Sequence, residues 1–329
     1  MVKKKYYKKK QQSTYLHIQK IFLRYEESLV LLIILIILLL GFQITSVLTT
    51  SVGRKAEASR VAAHHSTFPV APYLFLTTKI IQPISAEAAV ILDADSKTVL
   101  YQKNSQVRFS MASTTKLMTA LVAAEYFKPT DVLTAYTSRV EGVNVGVEVG
   151  DRFYFKDSLF ALLLPSGNDI ALMIAQNYPG GEEMFVKKMN EKAKELHLVN
   201  THFEDPAGLN DDGNYTTVGE LAELAIYFSH NSHLSGITGT KNILISTVDG
   251  SRTFVLNNLN KLLGLYGVTG IKTGHTEGAG DVLITSTTLS GNNYIIIVMR
   301  SQDRFFDTEI LLTSLLNGVG KFTPKSYEN

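Results

Sequence analysis

The 329-residue chain has no cysteine. That excludes a disulfide scaffold, a thiolate-ligated zinc or iron–sulfur centre and a thiol nucleophile, and leaves the chain at ease outside the cytoplasm. It has little net charge: 32 Lys and Arg against 30 Asp and Glu give +2. It has no internal repeat, no glycine-rich phosphate loop and no metal-ligand spacing. Gly270 and Gly274 lack the strand-then-helix setting that a nucleotide loop needs. With 45% hydrophobic and 19% charged residues, the composition is that of a globular or membrane-linked protein and not a disordered one. Length alone allows about two domains.

The small net charge conceals an asymmetry. Residues 1–28 hold eight Lys or Arg and two Glu, so the tail carries +6 and the remainder −4. Residues 29–42 are then fourteen apolar residues in succession, extending to Leu48 if Gln43, Thr45 and Ser46 are tolerated. Twenty helical residues span about 30 Å, the thickness of a hydrocarbon core. The basic flank orients such a segment with 1–28 in the cytoplasm and the rest exported. The expectation is an uncleaved transmembrane anchor over 29–48 and a cell-membrane, single-pass protein with its folded body outside. A cleaved signal peptide ending near Ser51-Val52-Gly53 is the competing reading; a buried core helix fits poorly because no polar face exists. Residues 49–86 show no period and contain Pro69, Pro72 and Pro83, the pattern of a linker. The adjacent pair His64-His65 cannot point one way and makes no metal site.

The folded body is expected over 87–320, with a short tail at 321–329. Strand character marks 88–93 and 97–101 around the turn Asp93-Ala94-Asp95-Ser96-Lys97. Helical spacing starts near Ser113 (Leu117, Ala120, Leu121, Ala124) and continues in 157–164, 169–176, 182–196 and 218–229. Strands return at 243–246, 253–255, 270–273, 281–287 and 294–300, with a last helix at 308–319. This order implies an α+β fold: one antiparallel sheet built from both ends of the domain, flanked by helices, with an inserted all-helical lobe and a cleft between.

Three short strings carry chemistry. Ser113-Thr114-Thr115-Lys116 opens a helix, where positions i and i+3 share a face. A serine hydroxyl needs a base, and Lys116 can be one if burial and a nearby cation lower its pKa by several units. Ser166-Gly167-Asn168 follows a helix that Pro165 stops; the hydroxyl can relay a proton, and an ordinary turn with an N-cap fits the same residues. Ser229-His230-Asn231 and Ser290-Gly291-Asn292 share its form. Lys272-Thr273-Gly274 lies on a strand and offers a cation, a hydroxyl and close backbone approach; an exposed edge lysine would look the same.

Taken in order, S-x-x-K, S-x-N and K-T-G form the set found in penicillin-binding proteins and class A β-lactamases. The flanks of these strings, with Met189–Ala193, Asn200–Phe203 and Gly270–Thr276 followed by Ala279-Gly280, closely resemble the D-alanyl-D-alanine carboxypeptidases over about Glu87 to Leu316. The resemblance selects Ser166 over the other two serines. It implies a β-lactamase/transpeptidase-like fold, Ser113 as acylated nucleophile, Lys116 as its base and Ser166 as proton relay. It further implies Asn168 holding the substrate amide and Lys272, Thr273 and Gly274 at the terminal carboxylate. The N–H groups of Ser113 and His275 would form the oxyanion hole, and Arg304 would bind the carboxylate. No metal or cofactor is implied. The expected substrate is the D-Ala-D-Ala end of a peptidoglycan stem peptide, with β-lactams as covalent inhibitors and no nucleic-acid partner. The alternatives are a D,D-endopeptidase of cross-links and a penicillin-binding, wall-sensing module without turnover. A class A β-lactamase fits less well, because Gly167 stands where those enzymes have Asp and the loop 202–206 follows the carboxypeptidase pattern.

Overall fold

The computed structural model describes residues 35–39, 73–77 and 83–322. Of the apolar segment 29–48, residues 35–39 are helical and exposed; the rest of that segment, the basic tail and Ser51–Gly53 lie outside the described residues. Among the described residues no helix is long and apolar enough to cross a membrane.

The centre of the folded unit is a five-stranded antiparallel sheet. It uses β2 (Ala88–Asp93), β3 (Val99–Lys103), β10 (Val268–Thr276), β11 (Gly280–Leu289) and β12 (Asn292–Ser301) in the order β10-β11-β12-β2-β3. Both ends of the domain therefore meet in one sheet, as the element order implies. Strands β2 and β12 are apolar without alternation because both faces are covered. Val90, Leu92, Ile295 and Ile297 belong to the core shared with the helical lobe. Ala89, Ile91, Ile296 and Val298 face the last helix with Leu311 and Leu315. Adjacent strand residues point to opposite faces, so one strand feeds two cores.

The helical lobe is inserted between β3 and the later strands. A 3₁₀ turn, Ala112–Thr115, runs into α1 (Lys116–Tyr126). It is followed by α2 (Phe155–Leu163), α3 (Asn168–Gln176), α4 (Gly181–Glu195), α5 (Val218–His230) and α6 (Ser232–Thr238). Helix α1 is buried from Lys116 through Ala123. A helix apolar all round belongs at the centre of its lobe, and that position fixes whatever stands at its N-terminus.

The structure departs from the sequence expectation in several places. Short pairs interrupt the helical region: β4 (Arg108–Ser110) with β7 (Tyr215–Thr217), and β5 (Val132–Thr134) with β6 (Arg152–Tyr154). Three residues are too few to carry a readable period. Strands β8 (Asn242–Ser246) and β9 (Thr253–Asn257) pair with each other and stay out of the main sheet. The stretch 49–86, read as linker, contains β1 (Tyr73–Leu76), which pairs with β13 (Val319–Phe322). The last helix, α7, runs Arg304–Leu316, starting four residues before the expected 308, because the Asp303 carboxylate caps it by accepting from the N–H groups of Phe305 and Phe306 at 3.1 Å.

Asp307 on α7 is buried and ties the start of the domain to its end. Its carboxylate accepts from Ser85 N (2.9 Å), Ala86 N (2.7 Å), Ser85 Oγ (2.7 Å) and Ser301 Oγ (2.6 Å). Asp307→Ala would strand these donors, at a cost of about 2–4 kcal/mol. At about 2–4 °C per kcal/mol for a domain of this size, calorimetry should show a melting temperature roughly 5–15 °C lower. Chemistry at Ser113 should be unchanged in the folded variant; an unaltered melting temperature would show that the knot carries no weight.

Candidate active site

Ser113 lies on the 3₁₀ turn and Lys116 begins α1. A 3₁₀ turn has three residues, so side chains at i and i+3 eclipse, which a pure α-helix would not achieve as closely. Lys116 Nζ sits 2.8 Å from Ser113 Oγ, 2.7 Å from Asn168 Oδ1 and 2.7 Å from the Ala207 carbonyl oxygen. The lysine is fully buried. Burial pushes its ammonium down from 10.5 to about 7, against the opposing pull of the Asp205 and Asp169 carboxylates. The lowered pKa that the serine-base idea demands is present, and desolvation is its main cause.

Ser166 follows Pro165 with φ +69°, a left-handed conformation uncommon for a residue with a Cβ. This turn aims the hydroxyl at Lys272, whose Nζ donates to Ser166 Oγ at 2.8 Å and to the Thr273 carbonyl at 2.9 Å. Lys272 is buried, and burial, then the charges of Lys116 and Arg304, hold it well below its ordinary range. Asn168 starts α3. Its Oδ1 meets Lys116, and its Nδ2 donates to the Glu141 carbonyl at 2.6 Å. The Asp169 carboxylate accepts from the N–H groups of Val145 and Gly146 at 3.0 and 2.8 Å. Residues 141–146 are thereby strapped to the start of α3, beside Lys116.

Strand β10 is the free edge of the sheet on the lobe side and carries Lys272, Thr273, Gly274 and His275. A Cβ on Gly274 would lie 3.2 Å from Ala112 Cβ and 3.3 Å from Ser113 N. Both contacts are tighter than most that a Cβ makes, so a side chain here would press the strand away from Ser113 by a few tenths of an ångström. His275 is largely exposed (side chain 64%) and its ring Nδ1 is 2.8 Å from Asp281 Oδ1; the ring does not reach Ser113's partners. Arg304 opens α7, and its Nη1 donates to the Gly274 carbonyl at 2.6 Å and to Asp281 Oδ1 at 3.2 Å.

Two hydrogen-bonded clusters result, Ser113–Lys116–Asn168 and Ser166–Lys272, with Thr273, Gly274 and His275 continuing along β10 and Arg304 bonded to the Gly274 carbonyl. Three contributors had escaped the sequence reading. Ala207 acts only through its carbonyl, which no side-chain pattern reveals. Asp205 accepts from the N–H groups of Ala207, Gly208, Leu209 and Asn210 at 2.6–3.2 Å and bends the loop that presents that carbonyl. The string Asp205-Pro206 before Gly208 was a turn signal that could have flagged it. Asp281 is visible only once β10 and β11 are paired, His275 opposite Asp281.

Chemically, a serine hydroxyl against a lysine titrating near neutrality is an activated nucleophile. A second serine and a depressed lysine provide a route for a proton on the far side. Among the described residues no three His, Asp or Glu side chains are placed to hold a metal ion.

Comparison with known proteins gives a consistent answer. Residues 76–303 match the family model for D-alanyl-D-alanine carboxypeptidase, peptidase S11. The chain is 36% identical over 223 residues to the D-alanyl-D-alanine carboxypeptidase DacF of Bacillus subtilis, covering 65% of this chain and 57% of that protein. It is 32% identical over 224 residues to a D-alanyl-D-alanine endopeptidase of Pseudomonas aeruginosa, covering 66% and 72%. Among solved structures, the Streptomyces K15 DD-transpeptidase superposes with a TM-score of 0.68 at 31% identity, covering 72% of this chain and 98% of that one.

Proposed function

Because the chain belongs to the D-alanyl-D-alanine carboxypeptidase family of serine peptidases, we propose that it removes the terminal D-Ala from peptidoglycan stem peptides through an acyl-enzyme on Ser113. The observation that carries this reading is the buried Lys116 amine, 2.8 Å from Ser113 Oγ and held near neutrality. Ser113 Oγ attacks the carbonyl carbon of the D-Ala-D-Ala bond as its proton passes to Lys116 Nζ. The oxyanion forms against the N–H groups of Ser113 and His275, each such donor being worth about 10²–10³ in rate. The proton held on Lys116 then passes through the Ser166 hydroxyl, which Lys272 orients, to the departing D-Ala nitrogen as the C–N bond breaks. Water then attacks the ester carbonyl, its proton passing to Lys116 and on to Ser113 Oγ as the C–Oγ bond breaks, which frees the shortened peptide and returns Ser113. Thr273 and Arg304 receive the carboxylate of the substrate's last residue. A β-lactam, which presents a similar carboxylate and a strained amide, acylates the same oxygen.

The basic residues before 29–48 and the apolar length of that segment support a membrane-tethered protein with its catalytic domain on the outer side. Endopeptidase action on cross-links is the second reading, favoured by the resemblance to relatives of that name in Pseudomonas aeruginosa and Escherichia coli. The deciding experiment incubates the full chain with an N-acylated peptide ending in D-Ala-D-Ala and with a cross-linked dimer. Free D-Ala should appear from the first faster than cleavage of the second. Faster cleavage of the dimer would establish the endopeptidase, and cleavage of neither would refute the peptidase reading.

A further inference from the structure

The carboxylate end of the site contains a charge that the proposed chemistry does not use. Asp281 stands near the start of β11, opposite His275 on β10. One of its oxygens, Oδ1, lies 2.8 Å from His275 Nδ1 and 3.2 Å from Arg304 Nη1. Its other oxygen, Oδ2, is 3.5 Å from the backbone N of Arg304. The pair is partly shielded, with Arg304 18% and Asp281 23% exposed. The remaining cations of the site are Lys116 and Lys272, both of which burial drives toward the neutral amine. Arg304 cannot lose its proton. It is therefore the one permanent positive charge in this group of residues, and Asp281 already neutralises it. Both hydrogen bonds of Arg304 run through Nη1, and its Nε is buried without a partner.

We infer that Asp281 is a specificity-determining residue: by occupying Arg304 it makes a substrate's terminal carboxylate compete with an internal one, and so relaxes the site's demand for a free C-terminus. A peptide whose last carboxyl is blocked or extended then loses less at this site than it would against an unpaired arginine. The inference rests on the D-Ala-D-Ala peptidase reading and refines its choice of substrate.

The test compares kcat/KM of the full chain for an N-acylated D-Ala-D-Ala peptide and for the same peptide ending in a carboxyamide. Asp281→Asn keeps an oxygen for Arg304 and His275 and removes the charge. The acid-to-amide preference should rise about tenfold, the scale of a partly exposed ion pair. The gain should enter through KM of the acid, with kcat little changed. Asp281→Ser, a smaller neutral side chain, should move the preference the same way and serves if the asparagine variant folds poorly. A second readout needs no turnover: in a Ser113→Ala background, calorimetry should show the acid peptide binding about tenfold more tightly when Asp281→Asn is added. An unmoved or reduced preference in both variants would overturn the inference and leave Asp281 as a prop for Arg304. Wild-type chain that cleaves the acid peptide with that result refutes this inference alone. Wild-type chain that neither binds nor cleaves either peptide refutes the peptidase reading, and this inference with it.

Discussion

Replacing Lys116 with alanine should slow acylation of Ser113 by a fluorescent penicillin on the order of 10³- to 10⁴-fold, the upper range for loss of a general base. Lys116→Arg should be equally slow, and that variant is the sharper test. It keeps a cation and long donors, but a guanidinium cannot accept the serine proton. If the arginine variant kept more than a tenth of the wild-type rate, Lys116 would be acting by charge and not as the base. The pH profile follows from the same geometry. With the amine titrating near 7, about half of the molecules hold the neutral base at pH 7 and about one in a hundred at pH 5. At the ordinary value of 10.5, roughly one in three thousand would hold it at pH 7. The acylation rate should therefore fall about tenfold per pH unit below 7 and level off above it.

The burial that lowers the Lys116 pKa also costs stability. Its folded-state pKa lies below its unfolded one, so the unfolded chain binds more protons between about pH 7 and 10.5. Stability then rises with pH through that window, and the cost is full below it. A shift of this size corresponds to about 5 kcal/mol. Lys116→Met, inactive, should melt higher than wild type at pH 6, with the advantage shrinking toward pH 9. Activity and stability are opposed at this one side chain.

Much of the molecule could be read before any coordinates. The runs in β2 and β12 and the 3.6 spacing of α1 through α5 are long enough to show their period, and the body of every such element lies where expected. The main sheet also follows, because both chain ends carry strands that only each other could cover. What escaped was the pairing of segments too short to have a period: β4 with β7, β5 with β6, and β1 with β13. For the site, the strings holding Ser113 with Lys116, Ser166 with Asn168, and Lys272 were visible because their groups are side chains at short spacing, but three S-x-N strings share one form, and the family resemblance made the choice among them. Asp205 and Ala207 were not visible, because their work is done by backbone groups. Asp281 was not, because its importance comes from register across a sheet. The left-handed φ of Ser166 was likewise invisible, although Pro165 and Gly167 on either side marked a turn.

Gly208→Ala should be the most damaging single methyl in the site. Gly208 has φ +83°, and a Cβ there would fall 1.9 Å from the Ala112 carbonyl oxygen and 2.7 Å from Thr115 Oγ1. Ala112 is itself left-handed, with φ +45°, so the residue before Ser113 is already in a sparsely populated conformation held by its surroundings. The backbone of the Asp205 loop packs directly on it. The methyl cannot be absorbed by a side-chain rotation, since what it meets is main chain. Either the loop withdraws, taking the Ala207 carbonyl from Lys116, or the 3₁₀ turn shifts and carries Ser113 with it. Both outcomes misplace the reacting pair, and a displacement near 1 Å can cost about 10²-fold. Acylation should fall by about that factor, and thermal unfolding should show a loss of about 3 kcal/mol or more. Gly250→Ala provides the control. Gly250 has φ +71° and open space around its missing Cβ, so it should cost about 1–2 kcal/mol for the left-handed backbone alone and leave acylation untouched. If both variants lost stability and neither lost rate, the loop would be a packing element only, and the placement of Ser113 would have to be credited to α1 and β10.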